Sequence, residues 1–190
     1  MDSNSSLEKL SNKDPFQSVS TFSLKHRLIR VVWNIVWIIF ASWTPKFMRP
    51  WRIVLLKVFG AKIGKNVDVR GSARVWYPSN LIMKDHSIIA ESVICYNMNI
   101  ITLHERTVVS QRVHLCAGDH DIRKAQLPLI TKPIEIGPDA WVAAEAFVGP
   151  GSIVAEGCVV GARAVVFKKL EPWSIYAGNP AVRISSRQIK

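Results

Sequence analysis

The sequence predicts an all-β body wound as a three-sided parallel coil, preceded by a helical hairpin. Three observations predict it: apolar residues recur every sixth position from Ile63 onward, small residues follow them, and two apolar segments broken by prolines lie between residues 24 and 62. With 190 residues, 48% of them apolar, the chain can form one domain with a core and an appendage. This composition excludes a disordered or collagen-like chain.

The first part of the chain, residues 1–23, is predicted to be a flexible polar tail. Its opening residues are polar and include three acids, unlike a cationic signal peptide or an acid-free transit peptide. We therefore expect a cytoplasmic protein.

Residues 24–62 are predicted to form a basic, tryptophan-rich helical hairpin. No acid occurs between Asp14 and Asp68, whereas this interval carries nine of the cations behind the net charge of +11. Prolines end helices because they lack the amide hydrogen and restrict the preceding residue, so helices are expected at 24–40 and 49–59. Four tryptophans lie in the hairpin: Trp33, Trp37, Trp43 and Trp51.

Two interpretations of this hairpin remain open. It could lie in the plane of a membrane, with tryptophan at headgroup depth and cations facing anionic lipid. It could instead pack its apolar face on the rest of the protein or on another subunit. The longest mostly apolar run, from Val31 to Trp43, is shorter than the roughly 20 residues that span a bilayer. Nucleic-acid binding is disfavoured because the cations alternate with aliphatic residues and tryptophan.

The body, residues 63–171, follows a six-residue repeat. A period of six fits neither an amphipathic helix nor a hairpin strand, but it describes a short strand followed by a tight corner. Three units close a coil, and stacked coils hydrogen-bond along the axis. Five coils start at residues 63, 83, 103, 136 and 154, with an excursion loop at 121–135. The fifteen inward positions are Ile63, Val69, Val75, Met83, Ile89, Cys95, Leu103, Val109, Leu115, Ile136, Val142, Val148, Val154, Val160 and Val166.

The hexads IGPDAW, VAAEAF, VGPGSI and VAEGCV resemble the repeat of the left-handed parallel β-helix acyltransferases. The segments WVAAEAFVGPG, HLCAGDHD and AGNPAVRI closely resemble exopolysaccharide O-acetyltransferases of the colanic-acid-biosynthesis type. The resemblance implies left-handed coils and acetyl-CoA as co-substrate, without a metal. It also implies a sugar or lipid-linked glycan acceptor and a homotrimer with its active sites at the subunit interfaces.

His120 is the candidate catalytic residue. It ends the third coil where the repeat breaks, between Asp119 and Asp121, and loops on rigid scaffolds often carry function. In similar acetyltransferases, a histidine in the corresponding segment is the general base. The group that orients its ring could be Asp119, Asp121 or a backbone carbonyl. Cys116 as an acyl-carrying nucleophile is the rival mechanism, although a cysteine in a hexad is often a small filler.

The resemblance also implies binding residues. Asn97 matches the asparagine that binds the acceptor, or else it is a corner residue in the left-handed conformation. Trp141 matches a tryptophan near the active-site cleft, or else it packs on a neighbouring residue. For coenzyme A, the small residues Gly161 and Ala162 would allow close approach of the pantetheine arm. Lys168 and Arg183 would meet its phosphates, although the segment VFKKLEPW departs from the family pattern.

The predicted function is acetyl transfer from acetyl-CoA to a sugar hydroxyl in surface polysaccharide synthesis. Residues 172–190 are expected to cap the body on the coenzyme A side. Two alternatives stay open, an acetyltransferase for a small acceptor such as serine, an aminosugar or an antibiotic, and a non-catalytic scaffold. A metal hydrolase is disfavoured because the four histidines of the body do not stack on one corner.

Overall fold

The computed structural model describes residues 22–189, so most of the predicted polar tail lies outside the described residues. Helix α1 spans Leu24–Phe40, a short 3₁₀ turn spans Lys46–Met48, and helix α2 spans Arg49–Val58. Helix α2 ends one residue earlier than predicted. Another 3₁₀ turn, Pro78–Asn80, lies in the first coil.

Within the described residues, most strands form three parallel sheets, which are the sides of a prism, and a separate two-stranded sheet projects from it. The first sheet holds β1 (Lys62–Ile63), β4 (Leu81–Met83), β7 (Ile101–Leu103), β12 (Ile134–Ile136) and β15 (Ile153–Val154). The second holds β2 (Asp68–Val69), β5 (Ile88–Ile89), β8 (Val108–Val109), β13 (Trp141–Val142), β16 (Val159–Val160) and β18 (Ser174–Ala177), and β19 (Val182–Ser186) pairs antiparallel with β18. The third holds β3 (Arg74–Val75), β6 (Ile94–Tyr96), β9 (His114–Cys116), β14 (Phe147–Val148) and β17 (Val165–Val166). The predicted parallel β-helix is confirmed.

The six-residue repeat fills the prism with apolar side chains. Fourteen of the fifteen predicted inward residues are buried, and Ile63, in the first strand, is partly buried. Most corners contain one residue in the left-handed conformation, three positions after an inward residue, such as Asn66, Arg106 and Glu145. This conformation turns the chain sharply enough to start the next strand.

The prism departs from the predicted register at two places. The excursion is an antiparallel pair, β10 (Gly118–His120) with β11 (Leu129–Thr131), so it starts before residue 121, and the coil resumes at β12, before residue 136. At the other end, β18 pairs parallel with β16, and Leu170 and Tyr176 are buried. A partial sixth coil therefore continues the stacking beyond residue 171.

The helical hairpin covers the open end of the first coil. Carbonyl groups there have no preceding strand to bond, and an unpaired strand edge promotes unwanted association. Side chains of the hairpin supply the donors: Trp33 Nε1 donates to Val75 O at 2.6 Å, and Trp37 Nε1 donates to Gly71 O at 3.1 Å. The hairpin is therefore a cap on the prism, as one of the two interpretations predicts.

Candidate active site

The prism has three rows of corners, and His120 lies on one of them. Corners between the third and first sheets comprise residues 76–80, 97–100, 117–133, 149–152 and 167–169. We call this row the loop edge, and we call residues 117–133, which project from it, the His120 loop. Strand β10 carries His120 outward from the end of β9, so the side chain is exposed while its backbone pairs with Leu129.

The imidazole of His120 is held by a backbone carbonyl. Nδ1 lies 2.5 Å from Leu127 O. A carbonyl oxygen can only accept, so Nδ1 is the donor, and in the neutral ring Nε2 keeps the lone pair. Leu127 has a φ of +45°, which is rare for a bulky residue and is typical of strained functional loops. The ring is thus fixed in the tautomer in which Nε2 can act as a base.

The two flanking acids have other partners. Asp119 Oδ1 accepts from the backbone N–H of His120 at 2.8 Å, and Asp121 Oδ1 accepts from Arg123 Nε at 3.0 Å. That hydrogen bond lowers the pKa of Asp121. Of the three orienting groups that the sequence leaves open, the structure selects the carbonyl. No sequence signal points to Leu127, because its backbone oxygen, not its side chain, makes the contact.

The cysteines show no sign of nucleophilic activation. Cys116 lies at the end of β9, and its thiol donates to Gly118 O at 3.2 Å. Burial raises the pKa of Cys95 and of Cys158 to about 12, which makes both thiols inert fillers of the core.

Asn97 lies on the loop edge, but its side chain points into the protein and is 0% exposed. Its Oδ1 accepts from Tyr77 N at 3.0 Å, and its Nδ2 donates to Tyr77 O at 2.7 Å. The amide therefore ties the second coil to the first, and the acceptor-binding role of Asn97 stays a prediction. Asn97 is also absent from the residues with positive φ, so it is not a left-handed corner residue.

We expect the Asn97→Ala substitution to destabilise the protein rather than to weaken acceptor binding. Two part-buried backbone groups of Tyr77 would lose their partner, which costs about 1–3 kcal/mol. A urea titration measures that loss, and steady-state kinetics measure KM for the acceptor. A raised KM with unchanged stability would support the acceptor-binding prediction instead.

Trp141 lies in the second sheet, away from the loop edge. Its side chain is 44% exposed, and its Nε1 donates to Ser110 Oγ at 2.8 Å. With Arg106, Asp139 and Arg187 it lines a shallow cavity of about 290 Å³. Its predicted role in the cleft stays a prediction.

Gly161 and Ala162 lie at a third place, the corner between the second and third sheets. A Cβ on Gly161 would come within 3.1 Å of Ala177 Cβ and of Tyr176 O. The absence of a side chain at Gly161 therefore lets the partial sixth coil pack closely on the fifth, a structural role that the sequence did not predict. Ala162 is exposed beside it.

The predicted phosphate-binding cations lie at the carboxyl-terminal end of the prism. Lys168 is exposed on the loop edge, two coils from His120, which corresponds to about 10 Å along the prism. Arg183, on β19, lies 3.3 Å from Glu171 Oε2 and donates to Ser174 Oγ. The loop edge also carries Lys132 and Lys169, so its donor set suits an anionic nucleotide.

One chain does not bring all the predicted residues together. His120 and Lys168 share the loop edge, whereas Trp141 and Gly161 lie on other parts of the prism surface. In residues 22–189, no cluster of three metal-ligating side chains occurs.

Comparisons with known proteins agree with this architecture. A putative colanic acid biosynthesis acetyltransferase, WcaF of Escherichia coli K12, is 40% identical over 159 residues, which cover 84% of this chain and 87% of WcaF. The chain belongs to the hexapeptide-repeat acetyltransferases of the colanic-acid-biosynthesis type. No protein-family model matches the chain.

Solved hexapeptide-repeat acetyltransferases share the fold. A maltose O-acetyltransferase from Clostridium difficile 630 superposes with a TM-score of 0.79 at 22% identity, covering 88% of this chain and 90% of that one. An acetyltransferase from Vibrio cholerae, complexed with acetyl coenzyme A, has a TM-score of 0.79 at 18% identity, covering 91% and 94%. The prism of this hexapeptide-repeat acetyltransferase therefore matches the left-handed β-helix of the family.

Proposed function

We propose that this acetyltransferase uses His120 as a general base to move the acetyl group of acetyl-CoA directly to a sugar hydroxyl. The observation that carries the proposal is the hydrogen bond from His120 Nδ1 to Leu127 O, because it leaves Nε2 basic on an exposed side chain. The donor and the type of reaction follow from membership of the family. A role in surface polysaccharide synthesis follows from the 40% identity to WcaF.

The chemistry needs one proton relay. Nε2 of His120 accepts the proton of the acceptor hydroxyl as its oxygen attacks the thioester carbonyl. The carbon–sulfur bond then breaks, the acetyl ester forms, and the imidazolium returns the proton to the departing thiolate. A positioned base of this kind contributes about 10²- to 10⁴-fold to the rate, and holding both substrates together contributes much of the rest.

We also propose that the working site forms between subunits of a homotrimer. The support is that His120 and the predicted binding residues Trp141 and Gly161 lie on separate parts of one prism. A second copy could bring its own Trp141 or Gly161 to the loop edge of the first. Lys168, already on the loop edge, and Arg183 are the proposed partners of the coenzyme A phosphates.

The acceptor class can be tested by measuring release of free thiol from acetyl-CoA. We expect turnover with glycans and sugar derivatives, and at least about tenfold lower kcat/KM with serine, aminosugars or chloramphenicol, because a site built for one hydroxyl pattern leaves polar groups unpaired against another. Preference for a small acceptor would support the second candidate function. Absence of turnover with every acceptor would favour a non-catalytic scaffold.

We propose further that the helical hairpin holds the enzyme against a membrane surface. Helix α1 buries one face on the first coil, but its opposite face is apolar and exposed. Exposed cations, among them Lys25, Arg27 and Lys57, accompany that face. An apolar helix face that stays exposed marks a surface that binds a membrane or a partner protein, and the neighbouring cations favour anionic lipid. Exposed large apolar residues of the hairpin are Leu24, Leu28, Val31, Val32, Ile35, Ile38, Ile39, Phe40, Trp43, Phe47, Trp51, Val54 and Val58.

The proposed contact of the helical hairpin with the membrane is peripheral. Within residues 22–189, no helix combines the length and hydropathy needed to cross a bilayer. Trp33 and Trp37 are buried in the cap, so Trp43 and Trp51 are the tryptophans that could reach the headgroups. Of the four hairpin tryptophans, the proposed role at headgroup depth therefore applies to Trp43 and Trp51.

We expect the protein to sediment with vesicles that contain anionic lipid, and Ile35→Asp to weaken partitioning at least about tenfold, because a carboxylate in the apolar face is desolvated and repelled. Ile122→Asp, on the exposed His120 loop, is the matched control and should sediment with vesicles as the wild type does. A wild-type protein that stays in the supernatant would contradict the membrane proposal. Loss of the trimer in Ile35→Asp would show that the face covers another subunit instead.

A further inference from the structure

The carbonyl that orients His120 belongs to a residue with a strained backbone. Leu127 has a φ of +45°, a left-handed conformation that a side chain of this size rarely adopts. Such a conformation persists only where the surrounding structure enforces it. The orientation of the imidazole therefore depends on the contacts that hold Leu127 in place.

Backbone hydrogen bonds link Leu127 to Asp121 from both sides. Leu127 N donates to Lys124 O at 2.9 Å, and Lys124 N in turn donates to Asp121 O at 3.2 Å. Asp121 N donates to Pro128 O at 3.0 Å, and Pro128 directly follows Leu127. The segment between Asp121 and Pro128 is thus a closed turn, and Asp121 is the residue that closes it.

The side chain of Asp121 fixes the start of this turn. Its Oδ1 accepts from the backbone N–H of Arg123 at 3.2 Å and from Arg123 Nε at 3.0 Å. The first contact joins a side chain to the backbone two residues on, which is the hydrogen bond that aspartate and asparagine use to set a tight turn.

The two contacts of this carboxylate differ in weight. The side chain of Asp121 is 13% exposed, whereas that of Arg123 is 88% exposed. An ion pair with so exposed a partner contributes little, because water screens the charges and the long side chain loses freedom. We therefore attribute the holding of the turn to the hydrogen bond with the Arg123 backbone.

We propose that Asp121 is a positioning residue for His120. Its carboxylate fixes the turn, the turn holds Leu127 in the left-handed conformation, and the carbonyl of Leu127 holds the imidazole through Nδ1. This inference rests on the proposed function, because it concerns how the proposed base is held. Without the carboxylate, the ring is free to rotate and to carry its proton on Nε2, and a ring in that tautomer has lost the basic atom at the loop edge.

The kinetic test is a double-mutant cycle between Asp121 and His120, with kcat measured by thiol release from acetyl-CoA. We expect Asp121→Ala to lower kcat at least about tenfold, because a small displacement of a reacting group is costly. In the His120→Ala background, the same substitution should change kcat by less than about twofold, since no imidazole is left to position. An equal loss in both backgrounds would overturn the proposal.

Two variants separate the turn from the charge. Asp121→Asn keeps an oxygen that accepts from Arg123 N, so its kcat should stay within about threefold of the wild type. Arg123→Ala removes the ion pair but keeps that N–H, and its kcat should also stay within about threefold. A loss in either variant as large as that in Asp121→Ala would show that the charge matters rather than the turn, and would overturn the proposal.

A spectroscopic measurement tests the same inference without turnover. The ¹⁵N NMR spectrum of histidine-labelled protein, recorded where the rings are neutral, distinguishes protonated from unprotonated ring nitrogens, and the spectrum of His120→Ala assigns the signals of His120. We expect the wild-type ring to carry its proton on Nδ1, and Asp121→Ala to move part of the population to Nε2.

A wild-type His120 protonated on Nε2 would overturn the inference, whether or not any variant folds. An unchanged tautomer in a folded Asp121→Ala protein would overturn it as well. If His120→Ala keeps its kcat while Asp121→Ala shifts the tautomer, the proposed function fails and the positioning of the ring by Asp121 stands.

Discussion

Replacing His120 with alanine is expected to lower kcat by about 10²- to 10⁴-fold, the contribution of one positioned general base. The reason is geometric: the imidazole is exposed, and Leu127 O holds its Nδ1 proton, so Nε2 is the basic atom at the loop edge. Because the side chain lies on an exposed loop, its removal should leave the unfolding midpoint nearly unchanged. Thiol release at saturating acetyl-CoA and acceptor measures kcat.

His86→Asn is the matched control. His86 is also exposed at a corner, with a φ of +62°, and asparagine tolerates that conformation. Its activity should stay within about twofold of the wild type, since His86 lies on a different corner row. An unchanged kcat in His120→Ala would reject the general-base assignment. A lowered kcat in Cys116→Ala would then favour the covalent mechanism.

Arg52→Met is expected to destabilise the protein by about 3–5 kcal/mol, the cost of leaving buried polar groups without their charged partner. Arg52 is completely buried, and its guanidinium joins the helical hairpin to the first coil. Nε donates to Val69 O at 2.7 Å, and Nη1 donates to Pro45 O and to Thr44 Oγ1, both at 2.9 Å. For a chain of this size, the midpoint of thermal unfolding should fall by about 6–20 °C.

Lys57→Met, on the exposed face of the same helix, provides the comparison and should shift stability by less than about 0.5 kcal/mol. Asp68 lies 3.8 Å from Arg52 but 3.3 Å from Arg70, so it keeps one cation in the variant. If Arg52→Met unfolded at the wild-type temperature, the cap would not depend on this side chain. Calorimetry of both variants measures the difference in their unfolding temperatures.

The coil architecture was predictable because its cause is local. Each inward residue of the repeat sits six positions from the next, so a single pass along the chain shows which side chains fill the prism, and the structure buries Val69, Ile89 and Leu115 as expected. The break between the two helices of the hairpin was predictable for a similarly local reason, since Pro45 marks where the backbone cannot continue as a helix. The repeat pattern did not predict the partial sixth coil, because Leu170 follows Val166 by four residues instead of six.

By itself the sequence determined the parallel β-helix through its repeat spacing, and the resemblance of its motifs to known acetyltransferases predicted the family and the candidate base. Only the tertiary structure decided that Leu127 orients His120, that Asn97 bonds Tyr77, and that Trp33 caps the first coil. Those contacts join segments brought together by coiling and by the excursion, and two of them use backbone oxygens, which residue identity does not specify.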